Sequence, residues 1–341
     1  MKKFLFLISF LFCFSVFAEN GISKSIYKED KKFFNFTIEP IFGTRIGHFG
    51  EQVYLKNSQT GEQYKLSELL YNFSPAAYTG ADVDFKLKRL HVTFGTKYFI
   101  PMQTGIMSDS DWLQNANSPT GSTFVKTNYS EHENNLRFGL NLEAAIKYDF
   151  HPSSHITLSP VISFLYEKMI FSAMNGTTWY GNDINDKPAS HTSYYSFDDI
   201  QHRTVSLLTG EVIQLRRQDY YIWLGLESSI SSKDSRWDLF FGLYTSPFIY
   251  THGEDDHCLR SLYYIDTTKS IFYAGKIKLY IQYNFTENIS LKLSDTFLFT
   301  GNMQGNEVKS SSKSGPYQNQ GTIIGATSIY CDIQLSGVFK F

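Results

Sequence analysis

The chain has 341 residues, with 31 Lys and Arg against 33 Asp and Glu, a formal net charge of −2, and 17% aromatic residues that include 30 Phe and 23 Tyr. A balance so close to neutral excludes both the basic footprint of a nucleic-acid binder and an acidic tail. Beyond the N-terminus no run of 18 apolar residues exists, which excludes helical membrane spans.

The first twenty residues, MKKFLFLISFLFCFSVFAEN, place two lysines before an apolar run that ends in small residues. This is the pattern of a secretory signal peptide, with cleavage expected after Ala18. Residues 19–32 then form a short N-terminal periplasmic segment, and residues 33–341 form one domain. The two cysteines beyond the leader, Cys258 and Cys331, have the spacing of neither a zinc ribbon nor a redox motif. In an oxidising compartment they could pair as a disulfide.

From residue 33 onward the chain alternates. In NLRFGLNLEAAIKYDF, Leu136, Phe138, Leu140, Leu142, Ile146, Tyr148 and Phe150 fall on one face, while Arg137, Asn141, Glu143, Lys147 and Asp149 fall on the other. Side chains alternate across a strand, so one face is oily and the other charged. The run is more than twice the length of an ordinary strand. KIKLYIQYNF, ISLKLSDTFLF and the terminal DIQLSGVFKF repeat the pattern. Charges on the wet face of strand after strand fit a polar barrel lumen, with the apolar faces turned to lipid and aromatic girdles at the interfaces.

Ten strands are predicted, at 33–46, 66–86, 90–103, 135–150, 156–173, 219–231, 237–250, 272–285, 289–300 and 325–341. Short turns near 86–89, 151–155, 231–236 and 286–289 alternate with long loops at about 47–65, 104–134, 174–218, 251–271 and 301–324. The expectation is an all-β fold: a ten-stranded antiparallel transmembrane β-barrel with short periplasmic turns, long extracellular loops and both termini in the periplasm.

That topology brings two acidic clusters to one end. GIMSDSDWLQ carries Asp109 and Asp111 beside Trp112 at the start of the second long loop. THGEDDHCLR carries Asp255, Asp256 and His257 at the start of the fourth. Taken singly, each is most simply a solvated turn. Facing each other across a barrel mouth, they offer an imidazole oriented by a carboxylate as general base and two crowded carboxylates to hold a water. A zinc site built from His252, Asp255 and His257 is the competing reading, although the spacing matches no common zinc framework. Neither a G-x-S-x-G elbow nor a phosphate-cradling loop is present.

With both motifs in place, the chain from about residue 33 to 341 resembles the omptin family of ten-stranded outer-membrane endoproteases. MSDSDWL is similar to the family's D-x-D-W motif and GEDDHCLR to its D-x-H motif. The resemblance implies a metal-free catalytic site of Asp109, Asp111, Asp255 and His257, without a cofactor. His257 would be the base, Asp255 its orienter, Asp109 the carboxylate nearest the water and Asp111 its support, with Asp256 at the non-catalytic middle position. It also implies that Glu51, in FGTRIGHFGEQVYL, lines a pocket for a basic substrate side chain. The family's second pocket acid is replaced here by Gly253, with Glu254 beside it as the expected substitute. On the barrel's outside, Phe164, Lys168 and Arg216 resemble the family's lipopolysaccharide-binding residues, with Tyr166 at the place of an acid. This implies a lipopolysaccharide activator.

The expected function is therefore an outer-membrane aspartyl–histidyl endopeptidase, its site facing the extracellular side. It would cut peptides or exposed protein segments at the cell surface, next to basic residues. Its partners would be those substrates and outer-membrane lipid, not nucleic acid. The alternatives are an omptin-like barrel that acts as an adhesin or receptor through its long loops, and a small pore, though a barrel this narrow is filled by side chains.

Overall fold

The computed structural model describes residues 34–56, 61–113, 125–181 and 194–341. The expected signal peptide and periplasmic segment lie outside the described residues. Among those described, every regular element is a β-strand: β1 (Phe34–Lys56), β2 (Gln63–Leu87), β3 (Leu90–Phe99), β4 (Met102–Asp111), β5 (Asn128–Tyr148), β6 (Phe150–Ser153), β7 (Ile156–Tyr180), β8 (Thr204–Ser231), β9 (Trp237–His257), β10 (Leu262–Ser270), β11 (Ala274–Asn284), β12 (Ile289–Thr300), β13 (Met303–Ser310) and β14 (Gln318–Lys340).

These segments form ten staves, all joined antiparallel. β3 and β4 are one stave interrupted at Ile100–Pro101, where proline supplies no N–H to the ladder. β10 runs on into β11 and β13 continues β12, so that β9 pairs with both β10 and β11, and β14 with both β12 and β13. The short β6 prolongs β5 along β7. The ring closes where β1 pairs with β14, from Thr37↔Lys340 to Tyr54↔Ile323. Closure leaves no unpaired sheet edge, which is what a sheet needs in lipid.

The short turns fall where the sequence places them, but the long loops are shorter than expected. β1 runs to Lys56, β4 to Asp111, β7 to Tyr180 and β9 to His257, while β8 begins at Thr204 and β14 at Gln318. Above the membrane both faces of a stave meet water or polar neighbours. The oily alternation that marks a strand in sequence fades there, although backbone pairing continues.

Burial is inverted relative to a soluble protein. Phe42, Phe94, Ile162, Leu243, Leu293 and Leu335 are exposed on the outer wall. A lower aromatic girdle includes Tyr148–Phe150 at 5.1 Å and Trp237–Tyr283 at 4.7 Å between ring centroids. An upper girdle includes Tyr98–Phe138 at 6.1 Å, Tyr166–Tyr220 at 5.1 Å and Tyr220–Tyr250 at 5.7 Å. The staves between these girdles span the membrane.

The lumen is filled. Its lower part is a charged cavity of about 280 Å³ lined by Glu39, Glu143, Lys147, Glu227, Lys276 and Lys292 among others. Several carboxylates there have cations, Lys276 binding Glu143 at 2.8 Å, Lys147 binding Glu227 at 3.1 Å and Lys292 binding Glu39, while Asp82 in the same lining forms no ion pair among the described residues. At the top of the cavity the fully buried Arg45 clasps Asp332 at 2.7 and 3.1 Å and Glu167 at 2.6 Å, with Tyr330 stacked 3.6 Å from its guanidinium. Above it Phe49, Phe73 and Phe171, all at most 1% exposed, pack against one another as an aromatic layer, with ring centroids 4.8, 5.4 and 6.2 Å apart. The candidate site rests on that layer.

Candidate active site

Asp109 and Asp111 sit on the last turn of pleat of β4, not in a loop. Their strand is held on both sides, by Leu69↔Asp109 and Ser67↔Asp111 from β2 and by Ser130↔Asp109 and Asn128↔Asp111 from β5. The spacing of two puts both carboxylates on the face that also carries Met107, which is buried inside. Asn128 donates to Asp111 Oδ2 at 3.5 Å, and Ser67 also hydrogen-bonds this carboxylate. Asp109 Oδ1 is buried and meets no donor. Burial, then the neighbouring Asp111, raises the proton affinity of Asp109 until its carboxyl titrates at about 7. Burial raises Asp111 as well. Trp112 lies at the rim with the Lys65 ammonium 4.2 Å and the Lys126 ammonium 5.5 Å from its ring centroid.

Asp255 and His257 end β9 in the same way, paired with Leu215 and Ile213 of β8 and with Tyr264 and Leu262 of β10. Both are buried. His257 Nε2 lies 2.9 Å from Asp255 Oδ2, and the Tyr264 ring packs 5.0 Å from the imidazole. Asp255 Oδ1 is buried without a donor. Arg260, in the turn after β9, directs Nη2 at His257 Nδ1. A guanidinium only donates, so Nδ1 accepts and the proton resides on Nε2, which donates to Asp255.

The two halves belong to one electrostatic unit. The charges of His257 and Arg260 lower the proton affinity of Asp109, and that of Asp255 raises it. Glu51 also joins this unit. It stands on β1 opposite Leu69, the residue that pairs with Asp109, and burial, then Asp266 and Asp255, push its carboxyl well above the ordinary range. Beneath them Tyr71 is fully buried, its hydroxyl without a partner and surrounded by Asp255, Glu51, Asp109 and Asp266.

The structure thus brings together Asp109, Asp111, Asp255, His257 and Glu51. It does not bring in Glu254. Successive β9 side chains alternate, and Glu254 lies on the outer wall, where it accepts from Arg216 at 3.3 Å. His252 shares that outer face beside Glu254, so it cannot join Asp255 and His257 in a zinc site. Among the described residues no group of three or more His, Cys, Asp or Glu is placed to hold a metal ion. Asp256 also faces outward and accepts from Arg216 at 3.0 Å and Lys313 at 2.7 Å. Cys258 and Cys331 are free thiols.

On the outer wall Phe164, Tyr166 and Lys168 follow one another along β7, next to Ile222, Tyr220 and Gln218 of β8. Tyr166 and Tyr220 donate to Gln218 at 3.3 and 3.2 Å. Lys168 forms no ion pair among the described residues, whereas Arg216 is held by two carboxylates.

Sequence reasoning missed Tyr71, Arg260, Asp266 and Glu307. Arg260 sits three residues past the histidine, within reach of its ring, and could have been found. Asp266 and Glu307 fall in stretches read as loops, where no alternation told which way they point.

The sequence profile of the Omptin family matches residues 32–335. Among solved structures, the chain is similar to the outer membrane protease OmpT from Escherichia coli, with a TM-score of 0.72 and 18% identity over 94% of this chain and 99% of that one. The outer membrane protein OprG from Pseudomonas aeruginosa aligns with a TM-score of 0.39 and 8% identity over 92% of this chain and 98% of that one. No curated protein matches by sequence.

Proposed function

The chain belongs to the omptin family and is an outer-membrane protease, and from that premise we propose that it is an aspartyl–histidyl endopeptidase that hydrolyses peptide segments lying across the extracellular mouth of its barrel. The observation that carries this reading is the pair of facing half-sites. Asp109 Oδ1 and Asp255 Oδ1 are both buried, both lack a hydrogen-bond donor, and both belong to a cluster that holds His257.

In this mechanism a water held between the Asp109–Asp111 pair and the imidazole attacks the scissile carbonyl carbon. His257 accepts the water's proton at Nδ1, the nitrogen that Asp255 leaves free, and Asp255 stabilises the resulting imidazolium. The C–N bond then breaks as the same proton passes to the leaving amine. Asp109, half-protonated near pH 7, can donate to the carbonyl oxygen as it gains negative charge. No covalent acyl-enzyme forms. Arg260 must release Nδ1 before the base can work, so the arrangement described is the resting one.

The remaining parts follow the same reading. Residues 1–18 serve as a signal peptide, residues 19–32 as a periplasmic segment, and the site faces outward. Glu51 recognises a basic side chain. Phe164, Lys168 and Arg216 contact lipopolysaccharide, which acts as an activating lipid.

The test is cleavage of internally quenched peptides by the refolded barrel with lipopolysaccharide, beside Asp109→Ala and His257→Ala, with and without a chelator. Both variants should fold and lose activity by about 10²-fold or more, the scale of a lost general base, and the chelator should change nothing. Variants as active as the wild type would refute the assignment.

A further inference from the structure

We propose that Asp266, across the β9–β10 pair from Gly253, is the specificity-determining carboxylate of this barrel, and that with Glu51 and Glu307 it forms a recessed pocket for the guanidinium or ammonium of a substrate side chain. The proposal rests on the protease reading and names the residue that selects the substrate.

The backbone register places these residues on one wall. Asp266 is opposite Gly253 on one side and opposite Glu307 on the other. β14 follows β13, and Ala326 of β14 is opposite Glu51 of β1. The arc from Glu51 to Asp255 therefore passes through Glu307 and Asp266. Gly253 keeps the space over Asp266 clear: a Cβ there would meet Asp266 Cβ at 3.6 Å and Oδ2 at 3.9 Å. An acid missing at 253 is thus available from the adjacent strand, with its carboxylate displaced sideways by one stave.

Asp266 is 5% exposed, yet neither of its oxygens accepts a hydrogen bond from an N–H or a hydroxyl. Its close polar neighbour is the Glu51 carboxyl, with which it can share a proton. Two strand positions on, the Thr268 hydroxyl is also buried without a partner. Among the described residues no lysine, arginine or histidine forms an ion pair with Glu51, Asp266 or Glu307, although Glu39, Glu143, Glu167, Glu227 and Asp332 in the lumen below all have one. A buried carboxylate without a counter-charge is costly, so a fold retains several together only where something else supplies the charge. Burial, then the charges of Asp266 and Asp255, hold Glu51 well above the ordinary carboxylate range, and burial, then the charge of Glu307, does the same to Asp266; a bound cation would relieve both.

A metal is not the fitting occupant, since these carboxylates do not converge at ligand spacing. A side-chain cation is. The pocket adjoins the catalytic pair, because the charge of Asp255 acts on Glu51, Asp266 and Glu307 alike. A guanidinium there would find a bidentate carboxylate partner with a second beside it.

The experiment uses the full-length barrel with lipopolysaccharide and quenched peptides that differ only in carrying Arg, Lys or norleucine at one position. Wild type should prefer Arg or Lys. Asp266→Asn should lose about 10- to 100-fold of that preference, read as the ratio of charged-peptide to norleucine-peptide cleavage, the scale of one charged hydrogen bond. Gly253→Asp combined with Asp266→Ser, which moves the acid back across the strand pair, should restore it. Equal losses on charged and neutral peptides, or a wild type indifferent to charge, would overturn the pocket. If wild type cleaves nothing, the protease reading fails by itself. The pocket is then decided by anisotropy of a labelled Arg peptide and its norleucine twin: weaker Arg-peptide binding to Asp266→Asn supports it, and equal binding rejects it.

Discussion

His257 receives a hydrogen bond from Arg260 at Nδ1 and gives one to Asp255 from Nε2, so both ring nitrogens are engaged in the resting barrel. The tautomer is fixed by two partners, one buried and one in an exposed turn. Arg260→Ala removes the second. Long-range nitrogen–proton spectra of the labelled barrel should then show the Nδ1 resonance shift while Asp255 keeps the proton on Nε2. Cleavage of uncharged peptides should rise by about 3- to 10-fold, the factor expected when a hydrogen bond of about 1 kcal/mol no longer competes with the water. An unchanged Nδ1 resonance would mean that Asp255 alone holds the ring.

Asp109 makes the site sensitive to pH. Its folded carboxyl titrates at about 7 against an ordinary 3.8, so the native state binds this proton more tightly than the unfolded chain. Its contribution to stability is full below 3.8 and is lost as pH rises through 7. Urea titrations at pH 5 and pH 8 should show wild type losing stability with rising pH, and Asp109→Asn losing less. In Asp111→Asn a neighbouring charge is gone, so the alkaline limb of the cleavage profile should move to lower pH.

Arg45 binds Glu167 and Asp332 beneath the aromatic layer with no exposure to water. Arg45→Met leaves Glu167 without its cation and should destabilise the barrel by about 3–5 kcal/mol, the range for breaking a buried pair. Adding Glu167→Gln should recover part of the loss. Heat-modifiable gel mobility and urea titration read both.

Lys168 and Arg216 share one lipid-binding resemblance, but their surroundings differ. Arg216 is held by Glu254 and Asp256, while Lys168 has no ion pair among the described residues. Lys168→Ala should therefore weaken lipopolysaccharide stimulation more than Arg216→Ala does. The reverse order would place the lipid phosphate nearer β8.

The membrane band was legible because lipid outside and charge inside impose strict alternation, and 135–150 declared itself as a strand on that ground. The extracellular ends were not legible. There β4 and β9 continue as strands to Asp111 and His257 with polar residues on both faces, so they read as loops. The two acidic motifs stay legible all the same because they are local. Glu254 does not, since whether it or Asp255 turns inward depends on β9 being extended. Asp266 was invisible for a related reason: its meaning comes from Gly253 on the next strand, and register is a property of the closed ring.

The aromatic layer beneath the site, with Arg45 below it, turns the barrel into a cup. A polypeptide cannot be threaded through it, and both halves of a cut chain must depart by the opening they entered. Such a cup suits a loop or hinge already displayed on a folded protein, which dips in, is severed and lifts away with its termini never engaged. The limit on turnover would then be how far a substrate can unfurl locally, and it would be set by the substrate's own fold.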